Sequence, residues 1–101
     1  MRFMITFRVP MEEGNALIKD GRIGPAMETI LDDLKPEAAY LGEIEGARGG
    51  YLVVNMDDGS QIPAIAEPLF LGLGATVKIS PVFTPDEMPV EALQQAAQKY
   101  G

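Results

Sequence analysis

The chain has 101 residues, 47% of them hydrophobic, with 8 Lys and Arg against 15 Asp and Glu for a net charge of −7. One domain is expected for this length, and an acidic chain with no basic stripe is not built to displace counterions from nucleic-acid phosphates. With no His, Cys or Trp, the chain lacks the commonest general base, the usual zinc ligands, a proximal haem ligand and any thiolate or disulfide. No metal site and no cofactor is therefore expected. No apolar run approaches the roughly 18 residues of a membrane span. Strand patterning that begins at Arg2 leaves no room for a signal peptide, so a cytoplasmic location without a membrane partner is expected.

Phe3, Ile5, Phe7 and Val9 alternate with Met4, Thr6 and Arg8, a period-two strand ended by Pro10. Glu12-Glu13-Gly14-Asn15 reads as a break, and Ala16 to Lys19 as a separate turn or frayed start. Ile23, Met27, Ile30, Leu31 and Leu34 then form one helical stripe, with Pro25 in its first turn and Pro36 at its end. Ala38 to Glu45 reads as a second strand. Gly46 to Gly50 reads as a flexible hairpin connection into a third strand at Tyr51, whose apolar run is Leu52 to Met56.

A turn at Asp57-Asp58-Gly59 lacks the further ligands of a calcium loop. Ser60 is placed to cap a second helix with Ile62, Ile65, Ala66 and Leu69 on its buried face and Pro68-Leu69-Phe70 at its end. Leu71 to Gly74 turns into a fourth strand, Thr76 to Phe83. The order β-α-β-β-α-β is the ferredoxin-like plan: an α+β fold with a four-stranded antiparallel sheet. Residues 84–101 are left over as a C-terminal helical extension of this single domain, 1–101. It opens with a capping box at Thr84-Pro85-Asp86-Glu87, is interrupted at Pro89, and carries Val90, Leu93, Ala97 and Tyr100 on one face. Such a helix either covers a sheet edge or reaches a second subunit.

In this plan both helices cover one sheet face. Alternation puts Met4, Thr6 and Arg8, then Thr76, Lys78, Ser80 and Val82, and then Tyr51, Val53 and Asn55 on the other, open face. For the second strand, Tyr40, Gly42 and Ile44 are assigned to the open face; the opposite phase would put Leu41 and Glu43 there. Two readings of Arg8 and Lys78 stand side by side. They are cations snorkelling to the rim or paired with Glu43, Glu45 or an acid from a partner, or they are the floor of a partly buried site for a small carboxylate.

The whole chain resembles the dimeric α+β barrel superfamily, and within it the muconolactone-isomerase-like branch. The resemblance is sharpest at Val53-Val54-Asn55-Met56-Asp57, the short helix ending Pro68-Leu69-Phe70, and the strand Lys78-Ile79-Ser80-Pro81-Val82. It implies two ferredoxin-like sheets packed face to face in a homodimer, with a cavity on each open face. Members include isomerases, cofactor-free monooxygenases, haem-degrading enzymes and proteins of no known activity. Lacking His and Trp, this chain departs from the haem-degrading and many monooxygenase relatives.

Three functions follow as expectations. The first is a non-catalytic binding or interaction module that takes a small carboxylate or lactone through Arg8, Thr6, Tyr40, Tyr51, Asn55 and Ser80. The second is an isomerase-like enzyme moving a proton on a small organic acid or lactone. There Lys78 and Glu43, if buried, carry the proton, a tyrosine donates to an enolate-like oxygen, and Arg8 holds the substrate carboxylate. The third is a cofactor-free monooxygenase. Arg48 is expected as an exposed arginine, or as a lid over a pocket mouth.

Overall fold

A computed structural model describes residues 1–101. Four strands, β1 (Arg2–Val9), β2 (Ala38–Ile44), β3 (Ala47–Asn55) and β4 (Thr76–Pro81), form one antiparallel sheet in the order β2-β3-β1-β4. The helices are α1 (Met11–Lys19), α2 (Ile23–Leu34), α3 (Ile62–Leu73) and α4 (Val90–Tyr100). The fold is α+β and ferredoxin-like. Ile5, Phe7 and Val9 of β1 and Leu52, Val54 and Met56 around β3 point to the helices. They make the core with Leu17, Ile30, Leu69 and Leu73. Period-two alternation in the strands and the i, i+4 spacing of Leu69 and Leu73 are what bring these side chains together.

Several local expectations are corrected. The Glu12–Asn15 break is helical. Glu12 and Glu13 sit in the first turn of α1 and Lys19 in its last, matching the helix dipole. Gly14 is buried beneath the Arg48 side chain, whose Nη1 would lie 3.1 Å from an added Cβ. Tertiary packing here outweighs the low helix propensity of glycine. The hairpin connection is only Glu45-Gly46, both at positive φ (47° and 84°). This is the two-residue geometry that suits the strand twist. Residues 47–50 are strand, because Gly49 and Gly50 run against neighbouring carbonyls: an added Cβ would stand 2.1 Å from the Phe7 oxygen and 2.2 Å from that of Tyr40.

Pro68 does not end α3 but lies inside it, and the helix continues to Gly74 in the left-handed region. Pro68 forfeits a backbone hydrogen bond, but Leu69 and Leu73, both essentially fully buried, hold the last turns to the sheet. Asp58 rather than Ser60 is the capping residue: its carboxylate accepts from the Ser60 N–H at 2.8 Å and from the Ser60 hydroxyl, while Gln61 reaches back to the Asp57 N–H. β4 ends at Pro81 rather than Phe83.

The Thr84 capping box is present at the head of the extension, where the Thr84 N–H and hydroxyl donate to Glu87 Oε1 at 3.0 and 2.7 Å. Beyond it α4 stands away from the domain with no buried residue. The molecule is accordingly elongated, 58 Å in its longest dimension, with a radius of gyration of 16.9 Å. A compact chain of this length would have about 13 Å.

Candidate functional site

Strand register arranges the open face into cross-strand rows. Ser80, Met4, Val53 and Ala38 form one row; Lys78, Thr6, Tyr51 and Tyr40 the next; Thr76, Arg8, Gly49 and Gly42 the third. Arg2 and Asn55 pair at the far end. Adjacent rows lie about 6.6–6.8 Å apart along the strands. The assignment of Tyr40, Gly42 and Ile44 to the open face is the register observed.

Arg8 is flanked in its row by Thr76 on one side and two glycines on the other, so no bulky neighbour fills the space beside its guanidinium. Its Nε is buried and has no hydrogen-bond partner; no other buried side-chain polar atom in the protein lacks one. A buried N–H without an acceptor costs on the order of 1–3 kcal/mol, and more when the group is charged. Arg8 also has no carboxylate within ion-pair distance, although Arg2, Arg22 and Lys78 all do.

Around Arg8 lies a concavity of about 420 Å³, with Thr6, Tyr51, Thr76, Lys78, Ile44 and the Glu43–Glu45 turn on its walls. The structure thus brings together Arg8, Thr6, Tyr51 and Lys78, with Glu43 entering only through the turn at the edge of the concavity. It does not bring the other three expected residues in. Tyr40 is 66% exposed on the outer side of Tyr51. Ser80 lies one row away opposite Met4. Asn55 lies two rows from Tyr51, donating to Glu37 Oε1 at 3.3 Å.

The two proposed proton carriers are not buried. Lys78 Nζ lies 3.9 Å from Glu45 Oε1, with both side chains about three-quarters exposed. An open ion pair of this kind contributes little. Glu43 is opposite Arg48 in the register, on the helix side, and its carboxylate accepts the Gly46 N–H. Its first task is to close the hairpin turn. In the single chain, the desolvation that acid–base work by these residues requires is missing.

A second cavity, not anticipated from the sequence, opens on the helix face. It has a volume of about 380 Å³ between α2 and the β2–β3 hairpin, walled by Phe7, Val9, Ile23, Met27, Leu41 and Leu73. Arg48 stands at its rim, with Nη1 donating to Asn15 Oδ1 at 3.0 Å. Of the two expectations for Arg48, the exposed arginine is the one observed; it borders this helix-face cavity and not the open-face concavity. The available sequence signal was Leu41, a large apolar residue in the phase of β2 opposite to Tyr40 and Ile44. It gave no hint that the helices leave β2 uncovered.

No protein-family model matches the chain, and no curated protein matches it. Solved structures do. A 5-chloro-2-hydroxyhydroquinone dehydrochlorinase from Burkholderia phenoliruptrix, in complex with 2,5-dihydroxybenzoquinone, superposes with a TM-score of 0.63 over 85% of this chain and 97% of that one, at 15% identity. Protein Atu4242 from Agrobacterium tumefaciens, at 16% identity over 84% of this chain and 98% of that one, has a TM-score of 0.38. A de novo designed protein, at 8% identity over 79% and 83%, has a TM-score of 0.42. The chain has a ferredoxin-like α+β fold, shared with the dehydrochlorinase. At these identities the likeness is one of fold.

Proposed function

We propose that the protein is a binding module that takes a small carboxylate on its open sheet face and closes that face by pairing with a second copy. The observation that carries this reading is the buried Arg8 Nε with no acceptor. A carboxylate laid beside Gly49 supplies that acceptor and takes the guanidinium fork in two parallel charge-assisted bonds. Thr6, Thr76 and the Tyr51 hydroxyl, which border the same concavity, offer further polar contacts. Pairing is supported by the character of the face. Met4 and Val53 are only half-buried and Tyr51 is 44% exposed, so the face is too apolar to be left to water.

The test is a calorimetric titration with benzoate, acetate and a neutral lactone, together with light scattering of the free protein at micromolar concentration. Carboxylate binding that Arg8→Leu abolishes and Arg8→Lys weakens supports the reading, as does a mass of twice the 10.9 kDa chain. Equal binding by wild type and Arg8→Leu sinks it.

A second reading, an enzyme moving a proton on a small organic acid or lactone, is favoured by the apolar helix-face cavity with Arg48 at its rim. Its volume lies within the roughly 300–1,000 Å³ usual for small-molecule sites. The dehydrochlorinase of the same fold, bound to a single-ring quinone, lends this reading its chemistry. Turnover of an unsaturated lactone that Arg48→Met diminishes and Arg8→Leu leaves intact would favour it over the binding module.

A further inference from the structure

The chain carries two bare apolar surfaces at opposite edges of one sheet. β2 is an edge strand whose middle is exposed on both faces: Tyr40 points to the open face, and Leu41, 65% exposed, to the helix face. Exposed apolar edge strands are a pairing hazard, and proteins commonly cover them with a helix. The other edge, β4, leads into α4, where Val90, Leu93 and Tyr100 are 52, 55 and 80% exposed. A lone helix shorter than about 12–15 residues is marginal in water, so the 11 residues of α4 need a surface for their stripe. Their own domain supplies none, because β3 and β1 separate the root of α4 from β2.

The root is tied to the sheet by the Val82 N–H, which donates to the Arg2 carbonyl at 3.0 Å, and by exposed ion pairs of the Arg2 side chain. Arg2 spans Glu37 at 3.0 Å and Glu87 at 3.4 Å, and Glu87 closes the Thr84 box. Arg2 shares the face of Met4 and Asn55, so these ion pairs hold the root to the open-face side of the sheet.

We infer that α4 is an exchange arm. It lays the stripe of Val90, Leu93, Ala97 and Tyr100 over Tyr40 and Leu41 of β2 in a second copy, and receives the same contact in return. The inference rests on the face-to-face pairing proposed above. With the two-fold axis along the strands, each copy's β4 edge lies over the other's β2 edge. The exposed stripe amounts to on the order of 350 Å² per arm, and two arms with two receiving edges bury about 1,400 Å², inside the roughly 1,200–2,000 Å² of specific pairs. The chain is thus self-complementary, as a closed two-fold contact requires.

The experiment uses the full chain, which has no cysteine of its own. Leu93→Cys and Leu41→Cys variants are mixed and treated with a short bismaleimide, with Gln95→Cys, on the opposite side of α4, replacing Leu93→Cys as control. The dimer dissociation constant of Val90→Asp/Leu93→Asp is measured in parallel by light scattering and sedimentation. Preferential Leu93–Leu41 cross-linking, together with a dissociation constant raised about 30-fold or more, is the expected result. A wild-type-like dissociation constant in the double variant, or equal cross-linking through residues 93 and 95, overturns the exchange arm and leaves the face-to-face pair standing. A wild-type mass of one chain at 100 micromolar overturns both.

Discussion

Gly49 and Gly42 face each other across the β2–β3 ladder, and the structure assigns them opposite sensitivities. A Cβ at Gly49 would meet the Phe7 carbonyl oxygen at 2.1 Å and Ile44 Cγ1 at 2.8 Å, whereas ordinary contact begins at 3.4 Å. The oxygen belongs to the backbone of β1, an interior strand held by β3 and β4, so it cannot swing aside as a side-chain tip would. At Gly42 an added Cβ meets nothing within 4 Å. Overpacking in a core that can shift costs about 1–3 kcal/mol, and a clash with a held carbonyl belongs at the top of that range, about 3 kcal/mol for Gly49→Ala. Gly42→Ala should be neutral or gain about 0.4–1 kcal/mol by restricting the unfolded chain. For a domain of this size each kcal/mol moves the Tm by about 4–8 °C. The two variants should therefore differ by at least about 12 °C in thermal melts followed by circular dichroism. A Gly49→Ala protein melting within about 4 °C of wild type, or a Gly42→Ala protein falling as far as Gly49→Ala, would refute the close-approach argument. It would also remove the reason why the row beside Arg8 is bare.

Other consequences can be checked with the same melts and with NMR. Leu69, fully buried in the middle of the core, should cost about 2–5 kcal/mol on replacement by Ala, and urea titration reads this directly. Lys35 ends α2 in the left-handed region at φ 44°, so Lys35→Gly should stabilise by about 0.5–1 kcal/mol, seen as a raised urea midpoint. Backbone and hydroxyl donation from Thr84, helped by Arg2, holds the Glu87 carboxyl below its ordinary value of 4.5. The folded form thus favours the carboxylate. Its contribution is complete above that ordinary value and disappears as pH falls through the lower folded value. The Thr84 amide resonance should accordingly titrate below pH 4.5, and Glu87→Gln should abolish that titration. A Thr84 amide that titrates at or above that pH in the wild type would contradict the Thr84–Glu87 contact.

The residue pattern alone carried the ferredoxin-like order. Strand alternation in Phe3–Val9 and the 3.6-residue stripe from Ile23 to Leu34 are local signals that survive in the folded chain. Alternation also sufficed to place Met4, Thr6, Arg8, Tyr51 and Lys78 on one face, and with them most of the candidate site. Boundaries fared worse wherever a local propensity met a tertiary demand. Gly14 and Pro68 are weak helix residues, yet they sit inside helices because Leu17, Leu69 and Leu73 are anchored in the core.

Other decisions needed three dimensions. Proximity in the row of Thr76, Arg8, Gly49 and Gly42 depends on ladder register across strands as many as 68 residues apart in sequence. A buried Arg8 Nε without an acceptor, an apolar cavity beside Arg48 and a C-terminal helix with no buried residue all depend on what is absent from a neighbourhood. Residue types and spacings record what each segment tends to do by itself. Whether a side chain finds a partner is a property of the packed chain, so only the tertiary structure could decide it.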